Sequence, residues 1–129
     1  MSTERCPCLS GNPYDECCGP LHEGAPAPTA ERLMRSRFSA FALGLPAYLL
    51  DSWHPSTRPA SLELDPDQRW TRLDVVDTRS GGPFDSTGSV TFRAWWRTDS
   101  ERGTLGETSD FVRERGHWYY VDGVVSASS

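Results

Sequence analysis

Two hydrophobic patterns divide the chain, and the first is helical. In "TAERLMRSRFSAFALG" apolar residues recur at helical spacing and predict an amphipathic helix whose apolar stripe faces a core: Met34, Phe38, Phe41, Ala42 and Leu45. Thr29 is placed to cap this helix and Gly44 to end it. Pro46 is suited to start a second, shorter helix, "PAYLLDSW". The opposite face of the first helix is predicted to be solvated, and it carries Arg32, Arg35, Ser36 and Ser39.

The second half of the chain alternates, as β-strands do. "GSVTFRAWWRT" places Val90, Phe92, Ala94 and Trp96 on one face and Thr91, Arg93, Trp95 and Arg97 on the other. "RWTRLDVVDT" predicts a strand before it, and "ETSDFVRERGHWYYVDGVV" predicts two more around a turn at Arg115 and Gly116. Two helices followed by about four antiparallel strands predict an α+β fold, with a sheet that curves around the helices.

All the cysteines of this 129-residue chain lie in one short segment, "CPCLSGNPYDECCG". Tetrahedral zinc needs four ligands, normally two pairs on facing turns, and the connection between the pairs is rich in turn-forming residues. Adjacent cysteines point apart, so Cys17 must end a turn or short helix if both Cys17 and Cys18 are to reach one ion. With Cys6 and Cys8 they would form a closed site, which is structural rather than catalytic.

Other roles for the four thiols remain open. Two disulfides would need an oxidising compartment, and a redox dithiol is normally Cys-x-x-Cys beside a βαβ pattern, which is absent here. Unliganded thiols on a mobile tail and an iron–sulfur cluster are further alternatives. No segment resembles a signal peptide or a membrane span, so we expect a cytoplasmic, reducing location, in which zinc is favoured.

Composition narrows the range of partners and suggests a division of the chain. The formal charge is −5, and all thirteen basic residues are arginine. This acidic balance argues against binding to nucleic-acid backbones and anionic membranes.

We predict a zinc-binding motif at 1–20, a linker at 21–28 with an exposed His22, and an α+β domain at 29–129. Because the domain has many aromatic residues, we expect it to have a separate core and to keep its fold without metal.

The cysteine segment resembles the SEC-C motif, the zinc-binding module at the C-terminus of the SecA translocation ATPase. Its pattern is Cys-x-Cys-x8-Cys-(His/Cys), and nine positions match: Cys6, Pro7, Cys8, Ser10, Gly11, Tyr14, Cys17, Cys18 and Gly19. The resemblance implies zinc bound through the four cysteines. Leu9 stands where the motif usually has glycine, and acidic Asp15 and Glu16 lie where basic residues are usual. In SecA the basic module contacts the chaperone SecB and has been linked to ribosomes and lipid.

The rest of the chain is similar to the YchJ family of bacterial proteins. The similarity lies in "LMRSRFSAFALGLPAYLLDSWHPS" and "GHWYYVDG". In that family a SEC-C motif precedes a domain with the nuclear transport factor 2 (NTF2) fold. The resemblance implies a cone, in which a curved sheet wraps the helices and leaves a pocket at the open end.

An enzyme using such a pocket would need a positioned acid or base. The candidates are His54, Asp74, His117 and Tyr120, with Arg37 as a charge stabiliser. Each has a simpler interpretation. His54 would cap the end of a helix, Asp74 would face outward on its strand, and His117 would be exposed at a turn. Tyr120 would be a core aromatic, and Arg37, beside the buried stripe, would pair with a carboxylate such as Asp74 or Asp51.

Three functions follow as hypotheses. The favoured one is a zinc-binding adaptor that recognises a protein partner through the SEC-C-like segment, a zinc knuckle. There an exposed Tyr14 beside Asp15 and Glu16 would suit a basic surface on the partner. The alternatives are a small-molecule enzyme or carrier acting in the cone, and association with ribosomes or nucleic acid. No nucleophilic triad, phosphate-binding loop or second metal motif is visible, so the sequence favours binding over catalysis.

Overall fold

The computed structural model describes residues 5–126 of the chain. Residues 1–4 of the predicted zinc motif and 127–129 of the predicted domain lie outside this range. After a 3-10 turn at Tyr14–Glu16, the elements follow in the order α1 Cys18–His22, α2 Ala30–Leu43, α3 Pro46–Asp51, β1 Arg69–Ser80, β2 Thr87–Arg97, β3 Arg102–Glu114 and β4 His117–Ser126. Helices therefore precede strands, which confirms the predicted α+β class.

Helix α2 begins and ends at the predicted residues. The hydroxyl of Thr29 accepts a hydrogen bond from the backbone N–H of Arg32 at 3.1 Å, which satisfies one of the free donors of the first turn. Gly44 ends the helix in the left-handed conformation, at φ 72°. Pro46 then occupies the first turn of α3, where a missing N–H costs nothing.

The strands form one antiparallel sheet in sequence order, β1-β2-β3-β4. Its edge strands carry bulges: β1 has an extra residue at Thr71 and another at Val76, and β4 has one at Val121. Bulges of this kind increase the local twist and bend a strand. Helix α2 packs against β1, β2 and β4, so the sheet lies against the helix on one face.

The buried surface of α2 is wider than its apolar stripe. Met34 and Phe38 are buried as predicted, whereas Ala42 is exposed, contrary to the prediction. Ser36 and Ser39 have no exposed surface at all, so the prediction of a solvated serine face is wrong. The reason is that the cysteine segment covers this side of the helix.

The four cysteines belong to the main hydrophobic core. One contiguous cluster contains Cys6, Cys8, Cys17, Cys18, Leu21, Ala27, Ala30, Leu33, Met34, Phe38, Leu73, Val90, Ala94, Phe111 and Trp118. The expectation that the domain has a separate core is therefore wrong. Four small buried thiols extend the core beyond the sheet and α2. The positions of the aromatic residues in the sequence do not predict this extension.

A short backbone junction ties the end of α3 to β4. The N–H of Tyr120 donates to the carbonyl of Ser52 at 2.9 Å, and the N–H of His54 donates to the carbonyl of Tyr120 at 2.7 Å. Trp53 lies between these bonds, and its ring meets that of Tyr120 edge to face, with centroids 5.1 Å apart. The junction thus brings the rings of Trp53 and Tyr120 against Arg37, in the middle of α2.

Candidate metal centre and cavity

The first cysteine pair lies on a tight loop closed by its own backbone. The N–H of Cys6 donates to the carbonyl of Asn12 at 2.9 Å, and the N–H of Leu9 donates to the carbonyl of Cys6 at 3.0 Å. The loop turns through left-handed residues at Leu9, with φ 64°, and at Gly11, with φ 91°. These turns direct the side chains of Cys6 and Cys8 to the same side.

The second pair, Cys17 and Cys18, lies at the end of a turn, as two adjacent cysteines must if both are to reach one ion. The N–H of Cys17 donates to the carbonyl of Tyr14 at 3.0 Å and so ends the 3-10 turn, and Cys18 begins α1. The backbone changes direction at Cys17, with φ −127° and ψ −101°. Two neighbouring side chains can therefore point to a common centre.

The four sulfur atoms have the spacing of a tetrahedral metal site. All lie within 4.8 Å of one another. The Sγ of Cys17 is 3.5 Å from that of Cys8 and 3.9 Å from that of Cys18. Four thiolates at about 2.3 Å from one ion would be separated by about 3.8 Å along each edge of the tetrahedron. The cluster is buried and can hold a metal ion, and the donor set fits a SEC-C site.

Before a metal is considered, the cluster favours a thiolate at Cys8 but not at Cys6 or Cys18, whose pKa values lie above the ordinary value of a cysteine. The pKa of Cys8 lies below its ordinary value because Cys18 and then Cys6 hydrogen-bond to its sulfur and stabilise the negative charge. The hydroxyl of Ser10 adds a polar contact to the Sγ of Cys17 at 3.1 Å. Metal ligation requires the deprotonated form of all four cysteines, so the charge of the ion itself would have to deprotonate Cys6 and Cys18.

Two arginines of α2 hold the metal-binding segment in place. Arg32 donates to the carbonyl of Cys17 at 3.1 Å, and its second terminal nitrogen lies 3.9 Å from that residue's sulfur. Arg35 donates to the carbonyl of Cys8 at 3.0 Å while pairing with Glu31 at 3.0 Å. Both arginines are half-buried, so they are docking residues rather than part of a solvated face.

His22 links the metal-binding segment to α2. Its Nε2 lies 2.8 Å from the carbonyl of Ser36, which only accepts, so Nε2 carries the proton. Nδ1 is then the acceptor for the hydroxyl of Tyr14, 2.6 Å away. The ring of Tyr48 packs edge-on against the imidazole at 4.6 Å. The predicted exposure of His22 and Tyr14 is wrong, because both side chains are half-buried in this network.

The burial of His22 should make stability depend on pH. Burial lowers its pKa below the usual 6.5, because desolvation disfavours the imidazolium. The unfolded chain therefore takes up the proton first, and stability falls as the pH drops below about 6.5 towards the folded-state pKa. We expect His22→Gln to keep both hydrogen bonds and to lose this part of the pH dependence.

Urea unfolding of both proteins between pH 8 and pH 5.5 measures this effect. The two proteins differ only at position 22, so the difference between the two stability curves isolates His22. Parallel curves would show that the imidazole does not titrate differently on folding.

A cavity of about 160 Å³ lies between α2 and the sheet. Its walls are mainly aromatic, and its polar groups are Arg37, Glu107, Ser109 and Tyr120. Burial lowers the pKa of Arg37 to about 10 and raises that of Tyr120 to about 12. The hydroxyl of Ser109 donates to Glu107.

Of the pocket candidates from the sequence, the structure brings only Arg37 and Tyr120 into the cavity. His54 instead lies 2.7 Å from the hydroxyl of Ser56 and 3.1 Å from the carboxylate of Glu114. Asp74 pairs with Arg72 at 3.1 Å, beside the ring of Trp95. His117 is exposed at the start of β4.

The expectation of a carboxylate beside Arg37 is wrong, because its bonds go elsewhere. One terminal nitrogen donates to the carbonyl of Leu49 at 2.7 Å and to the hydroxyl of Ser52 at 2.6 Å. Sequence reasoning missed Glu107 and Ser109. Alternation along β3, counted back from the buried Phe111, places both on the core face and would have found them.

Comparison with known proteins agrees with this architecture. The family model "YchJ, middle NTF2-like domain" matches residues 29–123, and the model "SEC-C motif" matches residues 3–20. A SEC-C motif containing protein from Rhodopseudomonas palustris, solved in solution, superimposes with a TM-score of 0.79 at 33% identity, over 92% of this chain and 96% of that one. The crystal structure of a SEC-C motif containing protein from Psychrobacter arcticus gives 0.77 at 29% identity, over 99% and 86%.

The fold and the thiol cluster thus define an NTF2-like α+β domain with a SEC-C motif at its N-terminal end. The chain belongs to the YchJ family, also called UPF0225. A UPF0225 protein of Streptomyces coelicolor is 53% identical over 95% of this chain and 97% of its own length. One of Corynebacterium glutamicum is 50% identical over 95% and 98%. Within residues 5–126, none of the helices has the length and apolar character needed to cross a membrane.

Proposed function

We propose that this protein is a zinc-binding adaptor, in which zinc has a structural role and the outer loop of the SEC-C motif recognises a protein partner. The ligands are Cys6, Cys8, Cys17 and Cys18. Four thiolates with near-tetrahedral spacing suit zinc, and a fully buried set leaves no open position for a substrate. Unpaired buried thiols also suit a reducing compartment, so we place the protein in the cytoplasm.

Leu9 is the observation that carries the adaptor role. The residue is 52% exposed, and its backbone is left-handed, which costs a leucine about 1–2 kcal/mol. Glycine would relieve the strain and remove the exposed apolar group. A strained, outward-facing leucine on a loop closed by its own hydrogen bonds is therefore a rigid apolar anchor, and such anchors dominate many protein interfaces.

The surroundings of Leu9 indicate the kind of partner. Asp15 and Glu16 are exposed on the 3-10 turn that follows the loop, and the whole chain carries a charge of −5. An apolar pocket with a basic rim would complement this surface. The proposed partner is thus a protein with a basic, partly apolar surface.

Substituting Leu9 by glycine tests the adaptor role without damaging the fold. We expect Leu9→Gly to keep one zinc per chain and to gain up to about 1 kcal/mol of stability, while binding its partner at least about tenfold more weakly. Leu43→Ala is the matched control, because Leu43 is 48% exposed at the far end of α2.

The experiment starts from proteins captured by the immobilised wild type from two portions of a Streptomyces coelicolor lysate, one untreated and one treated with nuclease. Each captured protein is purified, and its dissociation constant is measured against the wild type, Leu9→Gly and Leu43→Ala. Selective weakening by Leu9→Gly supports the proposal. Equal affinity for all three would contradict it, and loss of all capture after nuclease treatment would instead favour ribosome or nucleic-acid association.

A further inference from the structure

We propose that the cavity between α2 and the sheet binds a small monocarboxylate built on a single apolar ring. This site is separate from the outer loop of the SEC-C motif, which carries Leu9, and the proposal does not depend on the adaptor role. Arg37, at one wall of the cavity, would select the carboxylate. The aromatic side chains that form most of the remaining wall would select the apolar ring.

Arg37 is a buried cation, and some of its N–H groups make no hydrogen bond. Only 7% of its surface is exposed, and one terminal nitrogen makes both of its hydrogen bonds. Within the described residues, the other two guanidinium nitrogens have no hydrogen-bond partner, and no carboxylate lies within 4.0 Å of the group. Glu107 on the cavity wall acts on Arg37 only from beyond this distance, and a bound carboxylate would supply a directly paired charge and two acceptors.

The guanidinium is also held in a fixed orientation. Its carbon lies 4.5 Å from the ring centre of Tyr120 and 5.3 Å from that of Trp53. The α3–β4 junction anchors both rings, so the unused N–H groups are oriented in advance of binding. This geometry lowers the entropy lost when a ligand binds.

The size and lining of the cavity define the rest of the ligand. Its volume, about 160 Å³, is close to that of an engineered protein cavity of about 150 Å³ that binds benzene. Aromatic side chains from the helix and the sheet surround this space: Phe38, Phe41, Trp70, Phe92 and Phe111. One ring fills such a space, whereas a fused ring system does not.

Glu107 limits the charge of the ligand. Its carboxylate lies on the same cavity wall as Ser109, from which it accepts a hydrogen bond. A second negative charge on the ligand would be repelled by it, so a monoanion is preferred over a dianion. Replacing Glu107 by glutamine removes this repulsion and keeps the shape of the side chain.

Benzoate and benzamide are suitable probes, because they have the same shape and differ in charge. Binding to the zinc-loaded wild type is followed by the NMR signals of the Trp53 and Trp70 indoles, which line the cavity. We expect benzoate to bind at least tenfold more tightly than benzamide, and Glu107→Gln to bind benzoate several-fold more tightly than the wild type. Arg37→Met should lose the preference for benzoate and bind it no more tightly than benzamide, because Glu107 still repels the anion.

Each outcome decides the proposal. Equal affinity of the wild type for benzoate and benzamide, or no saturable binding of benzoate at millimolar concentration, would overturn it. If Arg37→Met fails to fold, Glu107→Gln still tests the charge dependence, and unchanged affinity for benzoate would count against the site. The adaptor role would be unaffected by any of these results, because Leu9 lies outside the cavity.

Discussion

Protein carrying Cys8→Ser is expected to bind no metal and to lose about 3–5 kcal/mol of unfolding free energy across the whole chain, not only in the SEC-C segment. Removing one of four ligands opens a closed site. The cysteines also share one buried cluster with residues of α2 and the sheet. Arg32 and Arg35 would lose the carbonyls of Cys17 and Cys8 as ordered acceptors.

The tryptophans allow a clear test of this coupling. All five lie between residues 53 and 118, outside the metal-binding segment, so their fluorescence reports on the domain alone. Urea unfolding is followed by this fluorescence, and metal content is measured on the same samples. Ser10→Ala is the control, because it keeps four thiols and removes only the hydroxyl that contacts the Sγ of Cys17 and accepts from the N–H of Asn12.

The result distinguishes a coupled segment from an appended one. A lower midpoint of the tryptophan transition for Cys8→Ser, with Ser10→Ala close to wild type, is the expected outcome. An unchanged midpoint despite metal loss would mean that the domain is independent of the segment. One equivalent of zinc retained by Cys8→Ser would exclude Cys8 as a ligand.

Local chemistry was predictable from the sequence because it depends on near neighbours. The Thr29 cap and the Gly44 end of α2 follow from hydrogen bonding and φ preference at single positions. The alternation that buries Val90 and Ala94 follows from the two-residue period of a strand. The turn before Cys17 likewise follows from the adjacency of two cysteines.

Packing between distant segments was not predictable in the same way. Ser36, Ser39, Arg32 and Arg35 form a polar face, and polarity alone cannot distinguish water from a docked segment as its neighbour. Arg37 posed a similar problem, because backbone and hydroxyl acceptors took the place of the carboxylate that a buried arginine usually requires. These residues are understood only once the cysteine segment and α3 are placed against α2.

Ser39→Leu is expected to separate the SEC-C segment from α2 and to cost about 3 kcal/mol of stability. Ser39 has no exposed surface, and its hydroxyl lies 3.3 Å from Nε2 of His22 and contacts the thiol of Cys18. A larger side chain cannot fit between these groups without moving the segment. Ser39→Ala, the matched control, removes only the hydroxyl and should cost about 1 kcal/mol.

Two measurements on Ser39→Leu and Ser39→Ala connect this packing to the metal. Urea unfolding gives the stability difference, and the rate of zinc transfer to a chelator reports on access to the cluster. We expect faster transfer from Ser39→Leu, because the cysteines lose the cover of α2, and a near-normal rate from Ser39→Ala. Equal stability and equal transfer rates for Ser39→Leu and Ser39→Ala would mean that the segment docks without close contact at Ser39. The burial of Ser36 and Ser39 would then need another explanation.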